Sequence, residues 1–196
     1  TPTMGGLIII GAILISAIMW CNPRRTFGDS LTESLASPVP LLIMTLLFFG
    51  GIGAVDDYLK VKRGGPDSGL SRRMKLLMQT LFGCLFAVLV LSDGTSPFPE
   101  NIRDQLYLPG LPPQIVEPPT LGLLYYPLIV LIFVCIANAI NFADGLDGLA
   151  IVPSAMTVLV CGVFAYFFSH STLAAAAQFA HLEGMTEVAV FAAAFL

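Results

Sequence analysis

The sequence predicts an all-α protein, a polytopic bundle of transmembrane helices in one membrane domain spanning residues 1–196, and three observations predict it. The chain is 56% hydrophobic and 11% charged, whereas soluble domains carry about a quarter charged residues. Its mean hydropathy is +0.85. Long uncharged runs recur between polar segments, as in LYYPLIVLIFVCIANAI at 124–140. Each run is apolar on all faces, the pattern of a helix surrounded by lipid or by other helices.

A helix needs about 20 mostly apolar residues to cross roughly 30 Å of hydrocarbon. Five runs approach that length: Met4–Cys21, Pro38–Val55, Lys75–Ser92, Leu121–Ile140 and Leu149–Ser169. A sixth begins at Met185 and meets the end of the chain at 196. The first opens on Gly5 and Gly6, small residues suited to close helix packing, and closes on Trp20. The fourth carries Tyr125 and Tyr126 near its start, where amphipathic rings favour the interface. The same run holds Asn138, which suits an interhelical hydrogen bond and a ligand contact equally well. The fifth contains Pro153, which predicts a kink.

Composition also excludes classes of function. A net charge of −4 offers no basic surface for nucleic acid. Cys21, Cys84, Cys135 and Cys161 lie in or beside apolar runs and form no CxxC pair, so they read as packing residues rather than disulfides or a zinc site. No basic segment precedes the first apolar run and no cleavage pattern follows it, unlike a signal peptide. The opening TPTMGG lacks an initiator Met and the closing AVFAAAFL lies inside an apolar run, so the chain reads as a piece of a longer protein.

Loop charge then orients the spans. The segment Asp56–Lys75 holds Lys60, Lys62, Arg63, Arg72, Arg73 and Lys75, and the segment Asp93–Thr120 holds only Arg103. The positive-inside rule makes the first cytoplasmic and the second external. Alternation puts TPTMGG and Asn141–Gly148 inside, and Cys21–Ser37 and His170–Gly184 outside. Arg24 and Arg25 run against that pattern. The external acids Asp93, Glu100, Asp104 and Glu117 are scattered and read as solvated loop charges, and His170 and His181 as solvated loop histidines.

Two acidic clusters, Asp56–Asp57 and Asp144–Asp147, thus share the cytoplasmic face, each at the inner end of a span. A carboxylate at a membrane edge is costly, by about 2.5–3.5 kcal/mol at a helix centre and less near the interface. Adjacent carboxylates also repel each other. A divalent cation relieves both costs, and Mg²⁺ binds through one or two carboxylates plus substrate phosphates. Such a metal also neutralises a diphosphate leaving group. Lys60, three residues after Asp57, would share a helix face with that carboxylate. The plainer alternatives are a solvated pair balanced by Lys60, Lys62 and Arg63, and a Gly-rich turn in which Asp147 caps the next helix. That turn leaves Asp144 and Asn141 unaccounted for. DGLDG also lacks the spacing and distal Glu of a calcium-binding EF-hand.

Four stretches together carry a resemblance: TPTMGG at 1–6, VDDYLKV at 55–61, GLSRRMK at 69–75 and NAINFADGLDGLA at 138–150. They resemble the polyprenyl-phosphate N-acetylhexosamine-1-phosphate transferases, and among them the phospho-N-acetylmuramoyl-pentapeptide transferases. DGLDG is shared broadly in that family, whereas TPTMGG with the DDxxK spacing points to this branch. The resemblance implies transfer of phospho-MurNAc-pentapeptide from UDP-MurNAc-pentapeptide to undecaprenyl phosphate, giving lipid I and UMP with Mg²⁺. It further implies about ten membrane helices, a cytoplasmic active site in the bacterial inner membrane, contact with membrane lipids, and a homodimer. By motif, Asp56, Asp57 and Asp144 become catalytic candidates, with Asp56 and Asp57 also facing the metal. One of that adjacent pair would act as base or, in a two-step variant, as nucleophile. Thr3, Lys60, Asn141, Gly145, Leu146 and Asp147 become substrate-binding candidates. Phe142 and Ala143 replace the Leu and Thr usual in the motif. The family's main metal ligand and His-rich loop would lie beyond residue 196, so residues 1–196 alone are expected to be inactive.

Three rivals stand beside this reading. A sister transferase would move GlcNAc-1-phosphate to the same lipid. An ion-coupled transporter would place Asp and Asn near the bilayer midplane. A structural membrane subunit would tolerate loss of Asp57 and Asp144.

Overall fold

The computed structural model describes residues 5–22, 30, 34, 36–64, 69–106, 117–143, 149–177 and 180–196. Among them run seven α-helices: α1 (Gly5–Trp20), α2 (Pro38–Arg63), α3 (Arg72–Leu91), α4 (Tyr125–Ala143), α5 (Ile151–Ser169), α6 (Ser171–Ala176) and α7 (Met185–Phe195). A 3-10 turn at Gly122–Leu124 leads into α4. The described residues hold no strand beyond an isolated bridge between Gln105 and Thr120. The segments Pro38–Arg63, Arg72–Leu91, Gly122–Ala143 and Ile151–Ser169 are long and apolar enough to cross a membrane, and α1 and α7 are shorter apolar helices. The architecture is the all-α transmembrane bundle that composition predicts.

Helix α2 outruns the expected end at Val55, because backbone hydrogen bonding does not stop where hydropathy falls. Pro38 opens it, with its ring-fixed φ suited to a first turn. Lys60, Lys62 and Arg63 occupy the last turn, where cations complement the carbonyl end of the helix dipole. Gly64 then ends it at φ 74, a left-handed conformation that glycine adopts without a Cβ penalty. Helix α3 starts one turn earlier than the apolar run, because Ser71 caps it: the Ser71 hydroxyl accepts from Met74 N–H at 3.3 Å. Pro153 does not kink α5. It lies in the first turn, where its missing N–H had no intrahelical acceptor to lose.

Small residues set the close approaches, as expected for helices associating without a strong hydrophobic drive. A Cβ on Gly83 would lie 3.1 Å from Val130 Cα, so α3 and α4 pack nearly backbone to backbone. A Cβ on Gly162 would lie 3.0 Å from Ala192 Cβ, which joins α5 to α7. A Cβ on Gly50 would overlap the Ile10 side chain, which joins α2 to α1. Ala17, Cys21 and Val39 form a buried cluster with Ile43, Val188, Val190 and Phe191, knitting α1, α2 and α7 together.

Helix α2 meets α3 and α4 differently, through long side chains. Phe48 stacks on Phe82 at 4.4 Å and Phe49 on Phe133 at 5.9 Å, while Phe82 and Phe133 meet edge to face at 5.5 Å. The rings hold α2 away from the α3–α4 pair and leave a chamber between them.

Elsewhere the expectations from composition and loops fare unevenly. Cys21 packs in the core, and Cys84, Cys135 and Cys161 are exposed free thiols on apolar helices. Asp93 is the exposed loop charge expected, at 85% side-chain exposure, and it also pairs with Arg103, whose guanidinium donates to Leu91 O at 3.2 Å. His170 and His181 lie against the carbonyls of Tyr166 and Phe168, at the end of α5 and just beyond it.

Candidate active site

One end of the bundle gathers the last turns of α2, the first turns of α3 and the last turn of α4. Asp56 lies at its centre, 6% exposed. Its Oδ2 accepts from Lys60 Nζ at 2.7 Å and from Lys75 Nζ at 2.9 Å. Its Oδ1 accepts from Leu70 N–H at 2.7 Å. A carboxylate this buried is tolerable only when charge and lone pairs are both met, and two ammoniums with one backbone donor meet them. The loop achieves its approach through Gly69, where a Cβ would overlap Asp56 Oδ1 and sit 3.1 Å from Lys60 Cε.

Asp57 is held differently. Its side chain is 41% exposed, and Lys60 Nζ stands 3.6 Å from its Oδ1. The lysine expected to serve Asp57 therefore serves Asp56 first: at i,i+4 the two side chains lie on one helix face, and the i,i+3 partner is more distant.

Two cavities meet at this cluster. One, of about 800 Å³, is walled by Phe49, Ile132, Phe133 and Ile136 and ends on Asp56, Asp57, Lys60 and Lys75. The other, of about 640 Å³, has a mixed lining that includes Gly69, Ser71, Arg72 and Phe142. Asp56, Lys60, Lys75, Asn138 and Asn141 line both. A mainly apolar chamber and a more polar one thus share a wall carrying two ammoniums, a buried carboxylate and two amides.

Of the residues singled out in the sequence, the structure brings together Asp56, Asp57, Lys60 and Asn141 around this wall. Thr3, Asp144, Gly145, Leu146 and Asp147 lie outside the described residues. Asn138, open between two roles, is an interhelical hydrogen-bonder: its Nδ2 donates to Gln79 Oε1 at 2.8 Å and to Val134 O at 2.7 Å. Sequence reasoning missed Lys75, Gln79 and the Leu70 amide. A signal for the first two was present, since a Lys and a Gln four residues apart open an otherwise apolar run and must share a face.

The donor set suits a hard cation only in part. Asp57 offers open carboxylate oxygens beside Asp56 and the Asn141 amide, whereas no group of three or more His, Cys, Asp or Glu side chains gathers among the described residues. That fits a metal shared with substrate phosphates better than an all-protein cage.

Comparison with known proteins adds lineage to this geometry. The sequence is 35% identical to a phospho-N-acetylmuramoyl-pentapeptide-transferase of Francisella tularensis subsp. holarctica (strain FTNF002-00 / FTA), over 99% of this chain and 49% of that protein. Phospho-N-acetylmuramoyl-pentapeptide-transferases of subsp. tularensis (strain WY96-3418) and subsp. novicida (strain U112) are 36% identical over the same shares. The chain spans about half the length of the curated relatives it matches. The profile of glycosyl transferase family 4 matches residues 39–196, from the first turn of α2 through α7, and the chain belongs to that family.

Proposed function

We propose that these residues form part of a phospho-sugar transferase of peptidoglycan synthesis, one that moves phospho-MurNAc-pentapeptide from UDP-MurNAc-pentapeptide onto undecaprenyl phosphate. One observation carries the reading: an apolar and a polar chamber meet at Asp56, Lys60 and Lys75. A greasy acceptor would enter from the first and a soluble nucleotide from the second. An oxygen of the lipid phosphate attacks the phosphorus that bears the sugar. The bond from that phosphorus to the UMP oxygen breaks, and lipid I and UMP result.

The residues divide the task. Lys60 and Lys75 stand ready with charge that can pass from Asp56 to phosphate oxygens, which supplies preorganised stabilisation of the kind phosphoryl transfer needs. Asp56 anchors both ammoniums. Asp57 is the carboxylate left open to take a proton from the lipid phosphate or to hold a cation. Asn141 lines the same wall and would orient the diphosphate. Mg²⁺, when bound through Asp57 and the substrate phosphates, would neutralise charge on the diphosphate. Asp144, Gly145, Leu146, Asp147 and Thr3 would complete the nucleotide side. The six basic residues of Lys60–Lys75 support placing this end at the cytoplasmic face of the bacterial inner membrane. Homodimerisation of the full-length protein belongs to the same proposal.

The test is product identity. The full-length protein, given undecaprenyl phosphate, Mg²⁺ and either UDP-MurNAc-pentapeptide or UDP-GlcNAc, is expected to release UMP and form a lipid product with the first only. A lipid product from UDP-GlcNAc alone would reassign it to the sister transferases, and no product from either would overturn the reading.

A further inference from the structure

We infer that Gln79 is a substrate-contacting residue, its side-chain amide donating to a phosphate oxygen of the polyprenyl phosphate at the floor of the apolar chamber; this rests on the transferase reading above. The hydrogen-bond order assigns the amide. Val134 O can only accept, so Asn138 must direct its Nδ2 there, and the same nitrogen reaches Gln79 Oε1. Gln79 therefore engages its oxygen and turns its NH₂ away from α4. Gln79 borders the apolar chamber, and this NH₂ makes no hydrogen bond to another described residue. An amide donor that opens on a chamber wall without a protein partner is available to a ligand.

Location names the ligand's chemistry. Gln79 lies one turn beyond Lys75 on α3, and Lys75 Nζ already reaches the Asp56 carboxylate. Gln79 lines the apolar chamber and not the polar one, so its donor addresses the substrate that enters through Phe49, Phe133 and Ile136. A lipid whose phosphate reaches Lys75 presents its next oxygens to a group one turn deeper. A neutral donor there adds a directional bond without a further charge in an apolar wall.

Two substitutions in the full-length protein separate this role from a structural one. Gln79→Met keeps the bulk and removes the donor and the interhelical bond. Gln79→Glu keeps an oxygen for Asn138, removes the chamber-facing donor and adds a carboxylate there. In Gln79→Met the KM for undecaprenyl phosphate should rise about ten- to a hundredfold, as for a lost hydrogen bond to a charged group, with the KM for the UDP-sugar unchanged. In Gln79→Glu the acceptor KM should rise further still, because the new carboxylate also repels the phosphate. An acceptor KM restored to wild type by Gln79→Glu would show a purely interhelical role and overturn the inference. So would equal rises for both substrates in Gln79→Met. A wild-type protein that makes no lipid product would instead overturn the parent reading, and the inference with it.

Discussion

Among the described residues two carboxylates are buried, one toward each end of the bundle, and they are held in opposite ways. Asp56 is 6% exposed and Glu187 is 5% exposed. Asp56 is gripped by the side chains of Lys60 and Lys75. Glu187, in the first turn of α7, accepts from the Asn22 N–H just past the end of α1 at 3.0 Å. Each also borders a cavity: about 650 Å³ at the Glu187 end, lined by Ser37, His181, Glu183 and Thr186, with no Lys or Arg among the described residues of its lining. Burial and a cavity are therefore common to both ends. What separates them, among the described residues, is lysine charge. Glu187 ties two helix termini together through backbone, whereas Asp56 stores ammoniums that an arriving phosphate can claim.

Substitutions can break that contrast, and the largest effect is expected at Asp57. Asp57→Asn in the full-length protein should lower kcat by about 10²–10⁴-fold, the range for removal of a positioned base, with the fold intact by circular dichroism. Preserved turnover would mean the open carboxylate is a bystander. Next, Lys75→Met removes one of the two ammoniums on Asp56 and should reduce kcat/KM about 10–100-fold, as for a charged hydrogen bond, with partial recovery in Lys75→Arg. Equal activity in wild type and variant would leave Lys60 as the sole functional cation. Gly69→Ala should act more mildly. The new Cβ would displace Asp56 Oδ1, so about a tenfold fall in activity is expected, as for loss of about one hydrogen bond. Smallest in activity is Glu187→Ala, which should cost about 1–3 kcal/mol of stability in a detergent melt by orphaning the Asn22 N–H, and leave kcat unchanged. A fall in kcat there would erase the distinction between the two ends.

The bundle was legible in the sequence because hydropathy is a local quantity. The six apolar runs from Met4 onward each contain a helix, four of them long enough to cross. The ends were less legible. Hydropathy stops at Val55, but α2 continues to Arg63, and that extra length is what stacks Lys60 beneath Asp56. Pro153 was misjudged because its effect depends on where in the helix it falls, and α5 begins only at Ile151. Asp56, Asp57, Lys60 and Asn141 stood out as polar residues at the mouths of apolar runs. Lys75 and Gln79 did not, since their partners Asp56 and Asn138 lie 19 and 59 residues away in the chain. Pairing at that range is set by how α3 docks on its neighbours, which periodicity does not encode.

The aromatic spacer between α2 and the α3–α4 pair extends the functional territory well past the charged wall. Phe82, 3% exposed, touches Phe48, Phe49, Phe86 and Phe133. It works as a strut: ring thickness, not backbone contact, decides how wide the apolar chamber stands. Trimming Phe82, which does not itself line the chamber, would let the chamber narrow while leaving Asp56, Lys60 and Lys75 untouched.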